Sequence, residues 1–81
     1  MTKDEIIVKL RDMMKQSSQE DVDWDQVDEN SEIEPLGFDS LAILDLVYDI
    51  QQEFNLEFDA EELVDINTVG KLADFLRAKG A

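Results

Sequence analysis

Cysteine and histidine are absent from all 81 residues. The two absences remove a thiol nucleophile, an imidazole base, a Cys/His zinc site and any disulfide framework. Most small-enzyme chemistry goes with them, so neither a catalytic residue nor a metal centre is expected. Also missing are an apolar run of signal-peptide length in MTKDEIIVKL and one of membrane-spanning length later on. A cytoplasmic protein without membrane association is the expectation. Basic residues are missing from the middle of the chain. All seven (Lys3, Lys9, Arg11, Lys15, Lys71, Arg77 and Lys79) lie in the terminal segments, and none falls between Gln16 and Gly70. Seventeen of the 21 acids occupy that central stretch, and the net charge is −14. Such a field repels nucleic-acid phosphates and attracts basic protein surfaces, so a nucleic-acid partner is not expected. A chain of this length has room for one domain, residues 1–81, with one modest core, and it is expected to be a monomer.

What is present reads as helix. Thr2 or Asp4 can open a first helix whose apolar residues Ile6, Ile7, Leu10, Met13 and Met14 recur at helical spacing. From Gln16 to Phe38 the pattern lapses into a polar, acidic connection with scattered anchors at Val22, Trp24, Val27, Ile33 and Leu36. A loop of that length within a small domain is usually functional or partly ordered. Leu41 to Phe54 is a second helix, capped by Asp39 or Ser40 and ending near Asn55. DAEELV suits a short third helix, with Asp59 as N-cap and Glu62 as capping-box partner. The last helix starts at Thr68, carries Val69, Leu72, Ala73, Phe75 and Leu76, and stops before Gly80. No alternating stretch of strand length occurs. The expected fold is all-α: a small four-helix bundle of three main helices and one short helix, with a long first loop.

The second helix holds more apolar surface than a small core requires. Ile43, Leu46, Val47, Ile50 and Phe54 form its inward face. Leu41, Leu44 and Tyr48 make a second stripe flanked by Asp45 and Asp49, which reads as a docking surface for a partner with a hydrophobic depression and a basic rim. A helix sandwiched between others, with that stripe in the core, is the competing reading. Between Asp21 and Glu32, oxygen ligands stand at positions one, three, five and twelve of an EF-hand loop. Gln26 replaces the glycine needed for the turn, Asp28 takes an apolar position, and Pro35 falls in the first turn of any exiting helix. A solvated acidic loop is therefore expected, with whatever weak divalent binding its charge density confers.

LGFDSL, residues 36–41, followed by an acidic amphipathic helix, resembles the prosthetic-group attachment site of the acyl carrier proteins. INTVGKLADFL near the C-terminus is similar to that family's ending, and the likeness runs without gaps from Ser31 onward. The resemblance implies phosphopantetheine as a covalent cofactor on Ser40, with Asp39 helping to hold magnesium during transfer of the arm. It also implies a carrier that is a cosubstrate and not itself an enzyme. Its partners would be a phosphopantetheinyl transferase and acyl-transferring and chain-modifying enzymes with basic docking patches. The physics is compatible, because a helix N-terminus suits an anion and a chain without a thiol must import its sulfur. Gly37 suits a turn that needs positive φ. Ser40 as a plain helix cap is the alternative.

Departures from the family pattern are specific. Ala42 replaces an acid directly after Asp-Ser-Leu, Gln51 and Gln52 replace a glutamate pair, Pro35 replaces an acid, and Asp59 follows Phe58 where proline is usual. Asp49 partly restores the lost charge. These changes leave the pathway open between fatty-acid, polyketide and related lipid biosynthesis. An aminoacyl, peptidyl or aryl carrier is one alternative, and an acidic calcium-responsive or protein-interaction module without covalent cofactor is another. The resemblance also implies an acyl pocket lined by Val47, Phe58, Leu63 and Ile66. Phe58 and Leu63 are bulkier than the usual residues there. Added volume in a close-packed interior predicts a shallow pocket for short or polar acyl groups, or none.

Overall fold

The computed structural model describes residues 1–39 and 41–81. Helix α1, Lys3–Ser17, takes Thr2, one of the two expected starts, as its N-cap. There the Glu5 amide donates to Thr2 Oγ1 (3.2 Å) and the Thr2 amide to Glu5 Oε1 (2.9 Å), which satisfies two donors that a helix start otherwise leaves orphaned. The hydrogen bond donated by the Thr2 backbone amide, reinforced by the Thr2 hydroxyl beside the carboxylate, holds the Glu5 carboxyl below its ordinary range. Ile6, Leu10 and Met14 are fully buried, while Ile7 and Met13 sit half-covered at the flanks of that stripe.

Helix α2, Ala42–Phe54, ends on Asn55 in the left-handed region, from which the Leu56 amide returns to the Gln51 carbonyl (3.1 Å). Its Leu46, Val47 and Ile50 are buried, but Ile43 and Phe54, placed inward by periodicity, are half-covered. Both lie at the edges of the apolar arc: the Lys9 ammonium rests 5.3 Å from the Phe54 ring, and Ile43 faces an open groove described below. Helix α3, Val69–Ala78, packs most closely on α1 through Val69, Leu72, Ala73 and Leu76.

The fourth element is a 3-10 turn, Ala60–Leu63. The expected capping box is there, with the Asp59 amide donating to Glu62 Oε2 (2.9 Å), but only four residues follow the cap. A segment that short forms too few i→i+4 bonds to propagate an α-helix and closes as the tighter form. The Lys79 ammonium donates to Glu62 Oε1 (2.8 Å), tying this turn to the end of α3. That bond, with the Asp59 amide behind it, lowers the Glu62 pKa. The fold is a small all-α bundle of three helices, with no strand among the described residues.

The long connection after α1 is largely ordered by the core. It contains 3-10 turns at Trp24–Gln26 and Glu34–Leu36, and its Val27, Ile33, Leu36 and Phe38 are buried. Its backbone also completes the start of α3. The Val69 amide donates to the Ser31 carbonyl (2.9 Å), the Gly70 amide to the Glu29 carbonyl (2.9 Å), and the Lys71 amide to Thr68 Oγ1 (3.2 Å). Three orphan donors of the helix are thereby satisfied, two of them by a segment some forty residues away.

Gly70 is needed for that approach, because a Cβ there would stand 2.7 Å from the Glu29 carbonyl oxygen and 2.8 Å from Glu29 Cβ. Alanine gains about 1 kcal/mol of helix propensity over glycine, whereas overpacking against backbone costs roughly 1–3 kcal/mol and loosens a hydrogen bond worth about 1 kcal/mol. A Gly70→Ala variant is therefore expected to be less stable by roughly 1–2 kcal/mol in urea unfolding. An unchanged or higher midpoint would show that the loop yields at no cost.

Candidate functional site

The backbone leading into α2 is set by a chain of local contacts. In the Glu34–Leu36 turn the Leu36 amide donates to the Ile33 carbonyl (3.1 Å) and the Gly37 amide to the Glu34 carbonyl (3.0 Å). Gly37 then takes φ of 104°, so that Leu36 and Phe38, buried on either side of it, both reach the core. Ser18, just past α1, locks the turn: its Oγ donates to the Leu36 carbonyl (2.6 Å) and accepts from the Glu20 amide (3.1 Å). A Cβ at residue 37 would lie 2.7 Å from that Oγ, so this position excludes side chains on space as well as on φ. Ser18 carries no signal in the sequence, where it is one polar residue in a polar run.

Asp39 serves as the cap of α2. Its Oδ1 accepts from the Leu41 amide (3.1 Å) and the Ala42 amide (2.9 Å), and its carbonyl accepts from the Ile43 amide (2.9 Å). Of the two capping candidates in the sequence, Asp39 thus takes the role through its side chain. Ser40, the candidate attachment residue, lies outside the described residues. Its neighbours Asp39 and Leu41 are both exposed.

Beside this entry runs an open groove of about 630 Å³ between the 32–39 turn, the first turn of α2 and residues 60–67. The volume is typical of a small-molecule pocket. Ile33, Phe38, Ile43, Leu63 and Ile66 supply its apolar lining, and Glu32, Glu34, Asp39 and Glu61 add carboxylates. Two of the four pocket residues inferred from sequence, Leu63 and Ile66, are therefore brought to it, and Val47 and Phe58 are not. Val47 is buried in the core. Phe58 meets Phe75 edge-on, with ring centroids 5.2 Å apart at 84°, while its carbonyl accepts from Gln51 Nε2 (2.8 Å). Its bulk lies against α3, outside the lining of this groove. Phe38 and Ile43 were missed as lining residues because periodicity alone assigns them to the core or to nothing.

The second stripe of α2 is wet. Leu41 is 77% exposed, Leu44 51% and Tyr48 63%, with Asp45 and Asp49 exposed beside them. Val64, 79% exposed, shares the rim of the groove with Leu44. The acidic segment 21–32 turns at Trp24–Gln26, and Asp28 Oδ1 accepts from the Asn30 amide (2.9 Å). Among the described residues no group of three or more acids is placed to hold a metal ion, and no helix is long and apolar enough to cross a membrane.

Residues 8–76 match the family model for the phosphopantetheine attachment site. The acyl carrier protein of Thermotoga maritima is 35% identical over 79 residues, covering 96% of this chain and 95% of that one. That of Bdellovibrio bacteriovorus is 43% identical over 60 residues, 73% and 77% of the respective chains. The chain belongs to the acyl carrier protein family. Phosphopantetheine is the prosthetic group that this membership brings, covalently attached, and acyl carrier proteins are carriers and not enzymes. The residues around the start of α2 suit such an arm: exposed neighbours flank the candidate serine, and an apolar groove opens directly from Asp39. In an acyl carrier protein the absence of Cys and His is no obstacle, because the reactive sulfur arrives with the arm.

Proposed function

We propose that Ser40 takes the phosphopantetheine arm and that the protein acts as a cosubstrate of cytoplasmic enzymes in fatty-acid, polyketide or related lipid biosynthesis. The observation that carries this reading is the entry to α2. There Asp39 performs the cap, so a serine beside it need not, and the flanking residues stand exposed at the mouth of an apolar groove. In priming, the Ser40 hydroxyl oxygen bonds to the β-phosphorus of coenzyme A. The pyrophosphate P–O bond breaks, adenosine bisphosphate leaves, and the hydroxyl proton passes to a base on the transferase. When attached, the arm supplies a terminal thiol that holds acyl groups as thioesters.

The chain's own residues do the positioning. Asp39 fixes the first turn of α2, and Ser18 and Gly37 hold the approach to it. Asp45 and Asp49 attract the basic rims of the transferase and of acyl-transferring and chain-modifying enzymes, while Leu41, Leu44 and Tyr48 provide apolar contact. Incubation with coenzyme A, magnesium and a broad-specificity phosphopantetheinyl transferase is expected to raise the intact mass by one phosphopantetheinyl group. No increase, or addition at two sites, would overturn the proposal.

A further inference from the structure

The groove has buried apolar residues, Ile33, Phe38 and Leu63, and exposed carboxylates in its lining. Glu32, Glu34, Asp39 and Glu61 all border it, and no lysine or arginine is among its lining residues. Most of the chain's ion pairs use up basic side chains elsewhere: Lys3 with Glu29 and Asp74, Lys9 with Glu53, and Lys79 with Glu62. Lys71 reaches one lining residue, its ammonium donating to Asn67 Oδ1 (3.2 Å), and one such charge leaves the rim with an excess of carboxylates. Central acids that look evenly spread along the sequence are thus divided by the fold. Some are neutralised by the terminal helices, and others are collected around this opening.

We infer that the groove selects its acyl cargo by charge. It accepts a neutral, apolar tail and turns away a tail of equal length that ends in a carboxylate, with Glu32, Glu34 and Glu61 as the specificity-determining residues. This inference rests on the carrier role and on attachment at Ser40, since an arm attached between Asp39 and Leu41 starts beside the groove that Asp39 borders. A carboxylate-tipped tail entering it loses hydration over an apolar floor and finds like charges where a cationic partner would be needed. A neutral tail loses nothing at the rim and leaves water as it covers Ile43, Leu63 and Ile66. Asp39 is left out of the selecting set because its carboxylate is engaged in capping α2.

The test compares the whole protein loaded at Ser40 with hexanoyl or with adipoyl phosphopantetheine, two six-carbon tails that differ in the terminal carboxylate. Intact mass confirms loading first. Amide shifts at Ile43, Leu63 and Ile66 are expected with hexanoyl, together with slowed hydrolysis of its thioester. Both effects are expected to be lost with adipoyl. Glu32→Gln, Glu34→Gln and Glu61→Gln combined should restore them for adipoyl, and molar salt should do so in part in the unmodified protein by screening the rim. A chain that takes no arm overturns the carrier assignment and this inference with it. A loaded protein that treats the two tails alike, or that still turns adipoyl away both in the triple variant and in high salt, overturns charge selection and leaves the carrier assignment standing.

Discussion

Ser40→Ala is expected to abolish phosphopantetheine attachment outright while leaving the helical content nearly unchanged. The loss should be complete because the other serine and threonine hydroxyls are already hydrogen-bonded, Ser17 Oγ among them, to Asp49 Oδ2 (3.5 Å). Ser18 Oγ is held between the Leu36 carbonyl and the Glu20 amide, Ser31 Oγ is bonded within the Asp28 turn, and Thr2 and Thr68 cap their own helices. The fold should survive because losing a capping hydroxyl costs only about 1 kcal/mol, and at α2 the amides of Leu41 and Ala42 are already taken by Asp39 Oδ1. Intact mass reads the attachment and circular dichroism the fold. Modification of the alanine variant at Ser31 or Ser18 would sink the assignment, and a melted variant would show that Ser40 is structural.

The largest effect on stability is expected at Leu46, two residues from one of the smallest, Leu44. Leu46 is fully buried, whereas Leu44 is 51% exposed on the same helix. Truncating a fully buried leucine to alanine removes its transfer energy and leaves a cavity, at about 2–5 kcal/mol. Against a total of only about 5–15 kcal/mol for a small domain, that is a large share. At roughly 4–8 °C per kcal/mol, Tm should fall by on the order of 10 °C or more. Leu44→Ala should stay within about 0.5 kcal/mol of the parent, as exposed substitutions usually do, yet speed dissociation from the transferase. Equal stability losses at the two leucines would mean that α2 is covered on both sides and that its outer stripe is core.

The division between what was legible and what was not follows the range of the forces involved. Caps and periods are written within four residues, so Thr2 as one of two starts, Asp59 with Glu62, Thr68, and the Ile6, Leu10 and Met14 stripe could all be read directly. The same holds for the missing Cys and His, which excluded thiol and imidazole chemistry, and for GFDSL, whose likeness to a carrier motif agrees with the family match over residues 8–76. Tertiary structure decided everything that depends on a distant neighbour. Helical spacing defines the centre of an apolar arc but not its edges, so only packing could turn Ile43 toward the groove and leave Phe54 under Lys9. Phe58, read as pocket lining from its place in the sequence, packs edge-on against Phe75, seventeen residues on in α3. Ser18 became the latch of the Leu36 turn because the end of α1 folds back onto it. Charge behaved likewise: composition set its sign and size, and the placement of six bases on two packed helices and a seventh, Lys79, just past α3 determined which carboxylates stay unpaired around the groove.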